Sequence, residues 1–271
     1  MRKNILAVLI LIVVLILTPK LSRAQTFDAN KAYLDYQFSL GVYDQANSDF
    51  KDAKDFYLTN KTLTLKEDAR RKLLAMLKAR DQLKIVYMTA LRMKILETKG
   101  LSESDKNSFF GKIDSEVEWY KNHMRNYKDG DPSEDLFTKS SEAEERDKST
   151  SSPIVYEALF DISLGEETGM RQDHENIYTS LKAIIDEGVK NGKLDMNPFN
   201  RWFTDIDLVI GGLKQNEDLS KTQIQKLYGQ QNNTSFGPYT EAIETLNSSL
   251  KSFSQLNNFL TEVLTSIKNQ K

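Results

Sequence analysis

Across residues 28–59 an aromatic ring recurs at every seventh position, Tyr36, Tyr43, Phe50 and Tyr57, and the small residues Ala32, Ser39, Ala46 and Ala53 fill the column between them. Seven-residue spacing sets both columns on one helical face, where rings and small residues interdigitate with a partner helix. No proline interrupts the stretch, so the pattern predicts one long helix whose rings are buried at a close-packed seam rather than displayed as a stacking platform. A second helix is expected over 64–98. Thr64 and Glu67 read as its capping box, Gly100 as its C-terminal cap, and Leu73, Met76, Leu83, Leu91 and Ile95 lie on its apolar face. The short connection predicts an antiparallel hairpin.

Phe110, Ile113, Val117, Tyr120, Met124 and Tyr127 alternate steps of three and four, predicting a third helix with a coiled-coil-like seam. Gly130 and Pro132 end it. Over 131–152 the composition turns to Ser, Thr, Glu, Asp and Lys, read as a polar linker or an exposed marginal helix. Helix resumes at Ser152-Pro153, with a break or kink expected at Gly165 and Gly169. It starts again at Asn197-Pro198 with Phe199, Trp202, Phe203, Ile206, Ile210 and Leu213, and a bend is expected at Gly211-Gly212. A last helix opens near Gly237-Pro238 and carries Tyr239, Leu246, Phe253, Leu260 and Ile267, with Ile243, Leu250, Asn257 and Leu264 four residues after. No stretch alternates like a strand. The expected fold is an all-α, elongated antiparallel helical bundle with coiled-coil-like seams in two helical subdomains, 25–130 and 153–271, on either side of the 131–152 linker.

Residues 1–24 add a location. Arg2 and Lys3 precede an apolar run over 5–17, followed by Leu21-Ser22-Arg23-Ala24. This is the order of a signal peptide cleaved after Ala24, and an uncleaved anchor is the competing reading. The expectation is an exported, extracytoplasmic protein, secreted or associated with the cell envelope. The chain has no cysteine, so its stability rests on a packed core instead of disulfides. Without residues 1–24, which hold four cations and no anion, 33 basic residues stand against 39 acidic, a net charge of −6. That balance argues against nucleic acid as a partner.

Charge also bears on the hairpin. Residues 28–59 hold six acidic and three basic residues, while 64–99 hold ten basic and four acidic, so the two arms are expected to pair by charge. The basic surface of Arg70, Arg71, Lys72, Lys78, Arg80 and Lys84 reads as a solvated face engaged with the acidic arm. Anionic lipid or wall polymer is the alternative.

Little else points to chemistry. His123 and His174, the only two histidines, read as surface residues. There is no Glu-x-x-His pair, Gly-x-Ser-x-Gly elbow or glycine-rich phosphate loop, so no catalytic, cofactor or metal residue is assigned. Asp129, Asp131, Glu134 and Asp135 gather in "YKDGDPSED" without calcium-loop spacing and read as a solvated turn. Glu116 and Glu118 beside Trp119 are where a wall-glycan-acting carboxylate pair would be sought, although an exposed charged face is expected there. Asn60, Asn232, Asn233 and Asn247 match the glycosylation triplet, which chance supplies in a chain this rich in Asn.

The stretch "KAYLDYQFSLGVYDQANSDFKDAKDFYLTNKTLTLKEDARRKLLAMLKARDQLKIVYMTALRMK" resembles uncharacterised exported helical proteins of bacteria with small genomes. That resemblance covers the hairpin alone. It implies bacterial export and no activity. The expected function is therefore that of an exported non-enzymatic helical protein, a scaffold, spacer or adaptor working by protein-protein contact at the cell envelope. The partner would be another protein, or a second copy through the heptad seams, and membrane contact would come only through an uncleaved N-terminal segment. The alternative is an extracytoplasmic ligand-binding bundle with a pocket lined by Trp202, Phe203 and tyrosines.

Overall fold

A computed structural model describes residues 28–226 and 237–270. The segment over 1–24 and the triplets at Asn232 and Asn233 lie outside the described residues. Among the described residues the fold is all-α, a bundle of helices packed on one another with no strand.

Helix α1 (Ala29–Asn60) opens on Asp28, whose carboxylate accepts the Lys31 amide at 2.8 Å. Its 32 residues make a rod of about 48 Å. Lys61 then takes a left-handed conformation (φ 45°) and donates its amide to the Tyr57 carbonyl, reversing the chain within two residues. Helix α2 (Leu63–Glu97) therefore starts earlier than its capping-box signal. Thr62, not Thr64, is the cap, accepting the Leu65 amide at 3.3 Å, and Glu67 grips Arg70 at 2.6 Å instead of reaching back.

The two arms are antiparallel and the ring ladder faces α2. Tyr36 meets Tyr87 at 5.2 Å between ring centres, Phe50 packs on the Leu73, Leu74 and Leu77 cluster, and Ala32 and Ala53 are enclosed. The four rings stay half-buried because α1 rests chiefly on α2. Charge pairing between the arms is slighter than composition implied. Lys72 reaches Asp49 of α1 at 2.8 Å, whereas Arg92, Lys84 and Lys94 pair with Asp114, Asp147 and Glu166 further along the chain.

Helix α3 (Glu103–Asn126) is capped by Ser102. Its buried stripe is Lys106, Phe109, Ile113, Glu116, Tyr120, His123 and then Tyr127, one column away from the predicted seam, so that Phe110, Val117 and Met124 lie at its edge. The stretch expected as a linker is helical and partly enclosed. Helix α4 (Ser133–Arg146) buries Leu136 and Ala143, and a π turn (Asp147–Ser151) leads directly into α5 (Ser152–Lys190). Pro153 accounts for that turn. It has no N–H, and in a regular helix its ring would strike the carbonyl four residues earlier; the wider turn makes room.

Helix α5 runs unbroken through Gly165 and Gly169. Those glycines serve a crossing, not a kink. A Cβ on Gly100 would lie 2.0 Å from the Gly165 carbonyl oxygen and 2.9 Å from the Gly169 nitrogen. The turn between α2 and α3 thus lies against the α5 backbone, and Gly100 is needed there, while Thr98 with extended backbone ends α2. Helix α6 (Asn197–Gln225) likewise continues through Gly211 and Gly212. The last predicted helix is two, α7 (Gly237–Ser248) and α8 (Leu250–Gln270), separated at Ser249.

The first half of α5 closes a core with α2 and α3 around Met88, Ile95, Phe109, Ile113 and Ala158. Its second half closes another with α6 and α8 around Ile185, Phe199, Ile206, Leu213, Leu256 and Val263. Between them Phe160 and Leu164 pack on Ile224, Ala242 and Leu246.

Candidate interaction surface

The residues with chemical potential are engaged in contacts between helices. Asp81, fully buried on α2, accepts from His123 Nδ1 at 2.5 Å and from Arg80 at 3.2 Å. His123 Nε2 donates to the Lys139 carbonyl at 2.9 Å, so both ring nitrogens face acceptors and neither is free to take a proton from a serine. Trp119 stacks on the imidazole at 4.8 Å. Arg80 also donates to Tyr127 Oη at 3.1 Å and Ser140 Oγ at 2.8 Å, tying α2 to α3 and α4.

Next to it Glu116 is buried, held by both Arg146 donors and by Ser151 Oγ at 2.7 Å, with Tyr120 Oη 3.2 Å from that serine. Burial pushes the Tyr120 phenol up to about 12. Glu118 faces outward toward Lys121 and Arg125. The two carboxylates therefore do not converge, and Glu116 is not on the exposed face expected of it. His123 is likewise enclosed, a correction to the surface reading. One signal was available: 106, 109, 113, 116, 120, 123 and 127 continue an unbroken three-four alternation in which Lys106, Glu116 and His123 are the charged or polar members.

A second cluster sits where α5, α6 and the α7–α8 junction meet. Arg171 clamps Glu217 through Nε at 2.6 Å and Nη2 at 3.1 Å, and reaches Glu175 at 3.0 Å. Glu167, 5% exposed, leans on Ser249, and its Oε1 has no hydrogen-bond partner among the described residues. Burial, and then the neighbouring Glu217, lift its carboxyl to about 7 against the pull of Ser249 and Arg171. Asn216 donates to Ser248 and Ser249 at 3.3 and 3.0 Å, bracing the break between α7 and α8. Asp161 is raised to about 7 by burial and by Glu157 and Asp105, and Lys112 holds Glu157 at 2.7 Å.

The remaining candidates are equally occupied. His174 donates to the Met170 carbonyl at 2.7 Å and meets Asn257 Oδ1 at 3.0 Å. In "YKDGDPSED" the Asp131 carboxylate takes the Lys128 amide and Lys139, which hold it below the ordinary carboxylate range, while Asp129 is nearly fully exposed. Among the described residues no His, Asp or Glu cluster is arranged to hold a metal. Trp202 and Phe203 pack against Phe199 and the second core, with Trp202 Nε1 donating to Glu262 at 2.8 Å. A shallow open groove of about 410 Å³ lies elsewhere, between α6 and α7, along Asn216, Gln223, Glu241 and Thr245.

No protein-family model, curated protein or solved structure matches this chain.

Among the described residues, the outer face of α1 is one of the exposed apolar surfaces. Leu34, Phe38 and Val42, spaced by four, point away from α2, and Phe38 is 75% exposed. Gly41 lies between them with open space around it, and Phe56 lies on the same side about 21 Å further along the rod. Asp44 and Asp55 lie beside this stripe and Asp52 in line with it, all three with no ion-pair partner among the described residues. The face thus sets large apolar side chains beside acidic ones in solvent. No helix among the described residues is long and apolar enough to cross a membrane.

Proposed function

We propose that this chain is an exported, non-enzymatic helical protein that works by contact with another protein at the cell envelope, as a scaffold, spacer or adaptor. The outer face of α1 carries the reading: three large apolar side chains in one row, on a rod that packs chiefly on α2. Two features support it. Both histidines use both ring nitrogens in internal hydrogen bonds, and Glu116, the carboxylate beside Trp119, is neutralised by Arg146. The N-terminal order of charge, apolar run and small residues supports export.

A photo-reactive residue in place of Phe38, with a second variant carrying it in place of the exposed Arg201 of α6, tests the proposal in intact cells. Position 38 is expected to cross-link one discrete protein that position 201 does not, in the envelope or secreted fraction. Retention of the chain in the cytoplasm, or equal and diffuse cross-linking from both positions, would sink it.

A further inference from the structure

Helices α5 and α8 run parallel. His174 meets Asn257, and further on the Asp195 amide donates to Gln270 at 2.9 Å. On the solvent side of that seam, Met170, Ile177 and Ile184 of α5 recur every seven residues, and Leu250 and Leu264 of α8 bracket Asn257 at the same interval; all five are 42–60% exposed. The predicted heptad of the last helix is thereby split. Phe253, Leu260 and Ile267 turn into the core with Leu256 and Val263, while the column of Leu250, Asn257 and Leu264 stays outside. The result is a two-helix apolar face spanning about 21 Å on a three-helix unit of α5, α6 and α8.

We propose that this face pairs with the same face of a second copy, completing a four-helix layer across a twofold axis that runs along the helices. The proposal rests on the reading of the chain as a contact protein. Charge selects the arrangement. Asp173 and Glu187 border the α5 column and Lys268 borders the α8 column, all three exposed and without an ion-pair partner among the described residues. An axis along the helices sets α5 of one copy over α8 of the other at the same level, bringing Glu187 to Lys268 twice. The antiparallel alternative sets α5 on α5 and crowds like charges. Five half-exposed large side chains supply on the order of 400 Å² per copy, and their polar border raises this toward the roughly 800 Å² per partner of a stable interface.

Light scattering and sedimentation of the chain lacking residues 1–24, over a range of concentrations, are the test. The expected result is a reversible dimer that Ile177→Glu weakens by roughly a hundredfold or more without altering the thermal melt. Glu187→Lys and Lys268→Glu should each weaken it by roughly tenfold, and the two together should restore it. A monomer at every concentration, a dimer indifferent to Ile177→Glu, or a double variant no better than either single one would overturn the proposal. A monomeric chain that still cross-links a discrete partner from position 38 would remove this pairing alone and leave the contact reading intact.

Discussion

Glu167 is a residue whose charge the fold tolerates poorly. It lies beside Glu217, its Oε1 is without a hydrogen-bond partner among the described residues, and its carboxyl is lifted from 4.5 to about 7. A carboxyl whose folded value is raised binds its proton more tightly in the native state, so its contribution favours folding at low pH. That contribution is lost as pH climbs through the window between 4.5 and about 7. Glu167→Gln should therefore stabilise the protein on the alkaline side of the window, by on the order of 3 kcal/mol, and leave the acidic side nearly unchanged. Urea unfolding on both sides checks this. Asp161, raised to about 7 in the same way, acts in the same direction, so the variant should reduce the pH slope without abolishing it. Neither residue can be distinguished in the sequence from the many exposed acids, because the shift comes from elements brought against α5 from elsewhere in the chain.

At the scale of elements, helix existence was legible and helix interruption was not. Asp28, Ser102 and the Pro198 start signal mark real helix openings, since a cap acts within one turn and needs no tertiary partner. Glycine misled in the opposite sense. Gly165, Gly169, Gly211 and Gly212 all lie inside continuous helix, while α7 and α8 part at Ser249, where Asn216 offers the serine hydroxyls a partner. The glycines separate by substitution. Gly165→Ala would drive its methyl into Thr98 and Leu101, and Gly100→Ala would strike α5 backbone, so each is expected to cost about 1 to 3 kcal/mol or more. Gly41→Ala, with nothing within 4 Å, should instead stabilise by about 0.5 to 1 kcal/mol. Thermal melts of the three variants decide it, and loss of stability on Gly41→Ala would show that α1 has a neighbour on its outer side.

At the scale of the molecule, α5 takes part in both main cores, about 58 Å from end to end. Loosening either core frays the helix that the other depends on, so unfolding should be a single cooperative transition. The two tryptophans report the cores separately, Trp119 beside the His123 cluster and Trp202 against the second core. Single-tryptophan variants, Trp119→Phe and Trp202→Phe, are expected to give coincident denaturation midpoints; separated midpoints would mean that α5 does not couple the halves. The sequence by itself determined that the chain is helical, where most helices begin, and which columns are apolar, because capping and periodicity are local properties of the backbone and side-chain spacing. Only the tertiary structure decided which of two adjacent columns turns inward. Neighbouring columns on a helix differ by a single step of three or four residues, and the choice depends on where the partner lies. In this way α3 hides Glu116 and His123 while Leu250 and Leu264 remain in solvent, and the ring ladder at Tyr36, Tyr43, Phe50 and Tyr57 is half-buried on α2 with the opposite face of α1 left open.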